Sequence, residues 1–131
     1  MDNMKKLISV LLVVLMVASA YQCNNKTGSG KEGTLKGRLV IKEICSHYVV
    51  EVVSGNADTA RVTNGWLDEK REKTYDNVFT VSNRCGFPAA SINEGDEFEF
   101  TFEPEVMEDC AVCMAYYPTP PKKNAIKIVG K

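Results

Sequence analysis

One stretch of the sequence alternates aromatic and polar residues with a period of two. Phe98, Phe100 and Phe102 share one parity between residues 97 and 103, and the residues between them are glutamate or threonine. Successive side chains of a strand point to opposite faces, so this pattern predicts a strand with one aromatic face and one solvated acidic face. Such a stripe can also be a stacking platform for bases or sugars. In a domain of this size we expect the three rings to form the core.

The chain after residue 33 also shows the residue patterns of β-strands. Leu35, Leu39 and Ile41 share a parity, with Gly37 expected to introduce a kink or bulge. β-branched and aromatic residues predict further strands. Those segments are residues 47–53, 59–67, 78–81, 112–117 and 125–129. Short strands, glycine and proline turns and the lack of a long helix predict an all-β fold, a small closed or partly open barrel of five to six strands, with a sandwich as the alternative.

The connections between these strands are of two kinds. Six charged residues fall within 68–74, which we expect to be a solvated loop or one frayed helical turn. Residues 84–96 contain two glycines and a proline and are expected to form a long connection, with one helical turn at residues 89–92.

The N-terminus has the features of an export signal. Two lysines precede an apolar run over residues 7–17, and the small residues Ala18-Ser19-Ala20 then suit a signal peptidase. The apolar run is shorter than the about 20 residues that a spanning helix needs, which disfavours an uncleaved anchor. We therefore expect a cleaved signal peptide at residues 1–20, a flexible tether at 21–33 and one folded domain at 34–131.

Cys23 allows two interpretations of the mature N-terminus. Bacterial lipoproteins carry a cysteine just after the apolar region, and its thiol receives the lipid that anchors the protein. Gln22 and Ala20 depart from the usual residues at these positions, whereas the polar segment that follows suits a tether between lipid and domain. Cleavage after Ala20 would instead leave Cys23 as a thiol in a loose tail.

Four further cysteines belong to the folded domain: Cys45, Cys85, Cys110 and Cys113. In an exported protein we expect them to form two disulfides, in any of the three connectivities that the sequence leaves open. Cys110 and Cys113 also form a C-x-x-C motif, and the four thiolates together are a possible zinc set. The redox interpretation lacks a βαβ context, and the zinc interpretation lacks paired spacing because Cys45 and Cys85 stand alone.

Charge and motif content disfavour several function classes. The 16 basic and 17 acidic residues give a net charge of −1, without the basic excess typical of nucleic-acid binders. His47 is the only histidine, so any Ser-His-Asp or Cys-His set would have to use it. No glycine-rich phosphate loop, nucleophile elbow or H-E-x-x-H motif is present. The acidic residues over 94–109 lack the spacing of a calcium loop. We expect no enzyme, no cofactor and no metal.

Two segments carry a resemblance to a known fold family. Residues 33–39, Gly-Thr-Leu-Lys-Gly-Arg-Leu, are similar to the long kinked first strand of an OB-fold barrel, and residues 92–100 resemble the turn and strand after its connecting segment. The cysteine layout resembles that of small exported OB-like proteins, often lipoproteins, of Gram-negative bacteria. The resemblance implies an OB-like barrel in the periplasm or cell envelope, anchored to the outer membrane if Cys23 is lipidated. It implies no particular function.

The expected function is a non-catalytic binding or interaction module. OB barrels bind with the open face of their second and third strands and with loops at one rim. On this chain we expect Trp66, Tyr48 and Arg61 on that face, together with Val50 and Tyr75, although a core position suits Trp66 equally well. A protein, peptide or oligosaccharide is favoured over nucleic acid. The membrane would be contacted only through the lipid. The alternative is a redox or metal-binding protein that acts through Cys110 and Cys113.

The intact mass of the native protein distinguishes the two N-termini. We expect a species that begins at Cys23, carries acyl chains and has its remaining thiols oxidised. Mass spectrometry of the protein isolated from its own cell envelope measures all three properties at once. A species that begins at Tyr21 and carries no lipid would contradict the anchor.

Overall fold

The computed structural model describes residues 1, 3–4, 33–111 and 113–131. Nearly all of the expected signal peptide and tether, including Cys23, lies outside these residues. No helix in the described part of the chain is long and apolar enough to cross a membrane. The structure is all-β apart from short helical turns. Its strands are β1 (Leu35–Glu43), β2 (His47–Ser54), β3 (Trp66–Asp68), β4 (Lys73–Tyr75), β5 (Val78–Val81), β6 (Glu97–Glu103) and β7 (Lys123–Gly130), with a 3-10 turn at Ile44–Ser46.

Five strands close into a barrel in the order β1-β2-β5-β7-β6, and β6 pairs back onto β1. β5 and β7 are parallel, and the other barrel pairs are antiparallel. If the barrel strands alone are numbered along the chain, this order is 1-2-3-5-4, a Greek-key order of the OB type. β3 and β4 form a separate two-stranded hairpin between β2 and β5. The predicted all-β fold class and small OB-like barrel are confirmed.

The aromatic stripe of β6 forms the barrel core. Phe98 and Phe100 are almost completely buried, and Phe102 packs against them. The ring of Phe79 on β5 lies 5.8 Å from that of Phe100 and 5.4 Å from that of Phe102 between centroids, within the usual range for interacting aromatic pairs. The prediction that this stripe is core is confirmed.

Two irregularities interrupt the pairing of β1 with β2 beside this core. The pairing with β2 shifts register between Lys36 and Gly37 and again between Leu39 and Ile41. The first falls at Gly37, the expected site of a kink or bulge, but the extra residue is Val53 on β2. At the second shift, Val40 is the extra residue on β1. An extra residue turns the following side chain to the other face of the strand, which simple alternation does not predict. Ile41 therefore leaves the barrel interior, which holds Leu39, and packs in a second apolar cluster outside it.

The predicted strand over residues 59–67 is wrong for most of its length. Thr63 forms one isolated bridge with Val78, and only Trp66 and Leu67 continue into β3. A turn at Asn64 and Gly65 ends the pairing. The Asn64 side chain accepts a hydrogen bond from the Asn77 backbone, and Gly65 adopts φ +66°, a left-handed conformation that glycine tolerates.

Three further local expectations need correction. Residues 68–74 include the ends of β3 and β4, and Asp68 is completely buried rather than solvated. Residues 113–117 form no strand, although Ala125 and its neighbours do form the last one. Residues 89–92 form a turn and not a helix, with the Ser91 backbone donating to the Pro88 carbonyl.

Substitution of Gly37 tests how tightly β1 packs on the core. A Cβ at this position would lie 2.8 Å from both Phe100 Cε1 and Val50 Cγ1. We expect Gly37→Ala to lower the free energy of unfolding by about 1–3 kcal/mol through overpacking. Gly86→Ala is the matched control, since its Cβ would meet nothing closer than 3.8 Å. Urea denaturation of both variants measures the difference, and equal stabilities would contradict the packing argument.

Candidate functional site

The three aromatic and basic residues expected on the binding face lie in different environments. Tyr48 is buried in the barrel core, where its ring stacks on Phe87 at 4.7 Å. The Arg61 guanidinium lies 4.7 Å from the centroid of the Phe102 ring. Trp66 is half-buried on the hairpin and stacks on Tyr75 at 5.9 Å. The structure does not bring these residues together in one site. Val50 lies in the barrel core as well, because the residues of β2 that face outward are those of the other parity.

The outer face of β1, β2 and β5 is covered by the chain itself. Ile41, Val49 and Val78 project from these strands and are completely buried. Tyr75 and Trp66 from the hairpin and Tyr117 from the connection between β6 and β7 pack over them. An OB barrel normally offers this face to ligands. Here the hairpin and Tyr117 occupy it, so this face is not open to a ligand.

A buried carboxylate holds the hairpin and Tyr117 together over this face. Asp68 ends β3 with its side chain completely buried. Its Oδ2 accepts a hydrogen bond of 3.0 Å from the Tyr117 hydroxyl, and its Oδ1 accepts one of 3.0 Å from the Lys70 backbone. Arg71 Nε lies 3.6 Å from Oδ2. A buried carboxylate is tolerated when it is paired and hydrogen-bonded in this way. Burial raises the pKa of the Tyr117 hydroxyl, and the Asp68 carboxylate adds to this rise.

Arg71 extends the same network to the barrel. Its guanidinium donates to Glu94 through both terminal nitrogens, at 3.2 and 2.8 Å, and to Glu43 at 2.9 Å. This two-pronged contact lowers the pKa of Glu94, because the positive guanidinium stabilises the ionised carboxylate. Arg71 therefore ties the hairpin to the end of β1 and to the connection after β5.

Two disulfides hold the connection between β6 and β7, whose described residues are 104–111 and 113–122. Cys45 pairs with Cys113 and Cys85 with Cys110, with Cα–Cα distances of 5.0 and 6.3 Å that suit such bonds. The structure thus selects one of the three connectivities. Cys45 has φ +62°, in the left-handed region, which costs a residue other than glycine about 1 kcal/mol or more.

The disulfide pairing occupies the sulfurs of Cys110 and Cys113, on which the redox or metal alternative depends. Each is bonded to a distant cysteine and not to the other, so neither offers a thiolate in this state. The sulfurs of Cys85 and Cys110 lie within 4.8 Å of a Glu108 carboxylate oxygen. That carboxylate accepts hydrogen bonds from the backbones of Cys85 and Gly86, at 3.0 and 3.2 Å.

An open pocket of about 390 Å³ lies at the barrel rim beside the Cys45–Cys113 disulfide. Its floor is the C-terminal end of β5, where the Thr80 and Ser82 backbones donate to the Lys122 and Asn124 carbonyls. The rest of its lining is His47, Arg84, Lys123, Thr119, Tyr116 and Tyr117. We call it the rim pocket. It falls within the size range of small-molecule sites.

The cations of the rim pocket are available to a ligand. The described residues include four arginines, of which Arg38 and Arg71 form ion pairs and Arg61 lies over an aromatic ring. Arg84 is half-buried and forms no ion pair within the described chain. Lys123 likewise has no carboxylate partner there. Ser82, which lines the pocket, donates a hydrogen bond of 3.0 Å from its Oγ to Glu105.

His47 has a defined orientation in this pocket. Its Nε2 lies 2.9 Å from the Ala115 carbonyl. Because a carbonyl oxygen only accepts, Nε2 carries the hydrogen and donates it. The bond links the start of β2 to the residues that follow Cys113 and so helps to hold Tyr116 at the rim.

A larger groove of about 440 Å³ lies between β7 and residues 83–88 and 103–106. Its walls are mainly aliphatic or proline side chains, such as Pro88, Pro104 and Val106, and its charged members Glu103 and Lys127 have opposite signs. Without converging polar groups it offers a ligand little orientation. The rim pocket is therefore the stronger candidate.

Sequence reasoning missed Arg84, Tyr116 and Lys123 as candidate site residues. Arg84 immediately precedes Cys85, and Tyr116 follows Cys113 by three residues, but these cysteines belong to different disulfides. Because the sequence leaves the pairing open, it holds no signal that places these residues together. Comparison of the chain with protein-family models, with curated proteins and with solved structures gave no match.

Replacing Tyr117 by phenylalanine tests the buried hydrogen bond to Asp68, which positions one wall of the rim pocket. We expect Tyr117→Phe to lower the free energy of unfolding by about 1–3 kcal/mol, since Asp68 loses a donor while it stays buried. Tyr116→Phe is the control, because the Tyr116 side chain is 83% exposed. Urea denaturation compares the two. A loss of the same size in both variants would contradict the role of the buried bond.

Proposed function

We propose that this protein is an exported, non-catalytic binding module that holds a small ligand in the rim pocket. The observation that carries the proposal is Arg84, a half-buried residue that lines the pocket and has no ion-pair partner in the described chain. The other half-buried arginines of the described chain, Arg38 and Arg71, are both ion-paired. A pocket that keeps such a cation unpaired is arranged for a partner that comes from outside.

The rigidity of the rim pocket supports the same conclusion. Its floor is a parallel strand pair, Thr80 with Lys123 and Val81 with Asn124. Its wall is fixed by the Cys45–Cys113 disulfide, by the His47 hydrogen bond and by the buried Tyr117. A site that is already ordered loses little conformational entropy when it binds, which favours recognition of a small ligand.

The two disulfides support export, because such bonds persist in oxidising compartments and are rare in the cytosol. We place the protein in the periplasm or cell envelope as a member of the small exported OB-like proteins. We also propose that Cys23 carries the lipid and that residues 24–33 act as the tether. Their lack of apolar side chains and their three glycines support this role.

The orientation of His47 supports a role without catalysis. Its Nε2 donates to a backbone carbonyl and so does not take a proton from a nucleophile in this arrangement. The alternative is a thiol-based redox or metal function of Cys110, favoured by the closeness of Cys85 and Glu108. It requires the disulfide to be reduced first. Thiol titration of the native protein separates the two, since readily exchanging thiols favour the alternative.

A ligand panel followed by amide chemical shifts tests the proposed function. The panel should contain neutral sugars, acidic sugars, amino acids, short peptides and hexose phosphates, added to the oxidised native protein. We expect the perturbed amides to cluster at residues 80–84 and 115–123 for at least one class, because these residues build the rim pocket. Binding that is confined to other residues, or absent for every class, would contradict the proposal.

A further inference from the structure

We infer that the rim pocket binds a sugar that carries a carboxylate, with the acid group on Arg84 and Lys123 and the sugar ring on Tyr116. This inference rests on the proposed function and names its ligand class. It follows from three properties of the pocket, which are its charge, its exposed aromatic ring and the paired state of its strands.

The charge of the pocket selects an anion. Arg84 and Lys123 line one cavity in a chain whose overall charge is −1. A guanidinium forms two parallel hydrogen bonds to a carboxylate, and an adjacent ammonium adds a point charge. Glu105 stands beside Ser82 at the same rim. A ligand with one negative charge fits this balance better than a doubly charged phosphate does, since Glu105 repels additional negative charge.

Tyr116 supplies a flat apolar surface next to these cations. Its side chain is 83% exposed, although it lies between the disulfide-bonded Cys113 and the buried Tyr117. An exposed tyrosine ring presents a large contact area, and with only two side-chain torsions it loses little entropy on binding. The C–H face of a pyranose ring can lie on such a ring, while Ser82 and Thr119 bring hydroxyl groups to the same cavity.

The backbone of the pocket floor favours a sugar over a peptide. Extended peptides commonly bind by adding a strand to an open sheet edge. Here the Thr80 and Ser82 backbones already donate to the Lys122 and Asn124 carbonyls, so the floor offers no free edge. The recognition that remains is by side chains, which suits a compact ring with a charged substituent.

Calorimetric titration of the oxidised native protein tests the inference. The probes are disaccharides of glucuronic, galacturonic and mannuronic acid, their methyl esters, a neutral disaccharide, a hexose 6-phosphate and a short peptide with a free C-terminal carboxylate. We expect at least one acidic disaccharide to bind, and its ester to bind about tenfold or more weakly, because the ester loses the charge-assisted hydrogen bonds. Equal binding of acid and ester would overturn the inference.

Matched variants locate that binding. We expect Arg84→Gln to weaken it about ten- to a hundredfold, Arg84→Lys to weaken it less, and Tyr116→Ala to weaken it about tenfold, while Tyr116→Phe retains it. Arg61→Gln and Lys127→Gln remove cations outside the pocket and should leave affinity unchanged. Thermal melts confirm that each variant is folded. Loss of binding in the two control variants, or none in Arg84→Gln, would overturn the inference.

The remaining probes distinguish a wrong ligand class from a failure of the proposed binding function. If the neutral sugar, the phosphate or the peptide binds at residues 80–84 and 115–123 and no acidic sugar does, the ligand class is wrong and the binding function stands. If no probe binds in the rim pocket, by calorimetry or by amide shifts, both fail.

Discussion

The hydrogen bond between the buried Asp68 carboxylate and the Tyr117 hydroxyl joins the parts of this molecule that lie outside the barrel. Asp68 belongs to the hairpin, and Tyr117 to the connection between β6 and β7. Through their contact, and through the ion pairs of Arg71 with Glu43 and Glu94, the hairpin and the connection lie together over the outer face of β1, β2 and β5. The result is a second apolar cluster, which closes the face that an OB barrel usually leaves open.

This closure excludes the usual OB face as a ligand site. With Ile41, Val49 and Val78 covered, the proposed site is the rim pocket, where the Cys45–Cys113 disulfide anchors the residues that carry Tyr116. The disulfide restricts the unfolded chain and also fixes a long irregular segment that forms no strand. The same constraint that stabilises the fold therefore also orders the wall of the rim pocket.

The fold was largely predictable from local patterns, and the candidate site was not. The alternation of Phe98, Phe100 and Phe102 identifies a core strand because parity alone decides which face each side chain takes. Parity failed at Ile41, where a bulge reverses the face. Parity also could not place Tyr48 in the core, because it does not show which face of β2 meets the barrel interior.

The sequence by itself determined an all-β barrel, a set of cysteines suited to an oxidising compartment and a charge balance unlike that of nucleic-acid binders, because these properties follow from composition and short-range periodicity. Only the tertiary structure decided which cysteines pair, that Asp68 is buried, and that His47, Arg84, Tyr116 and Lys123 line one pocket. These residues are far apart along the chain. Their approach depends on barrel closure and disulfide pairing, and neither leaves a local pattern in the sequence.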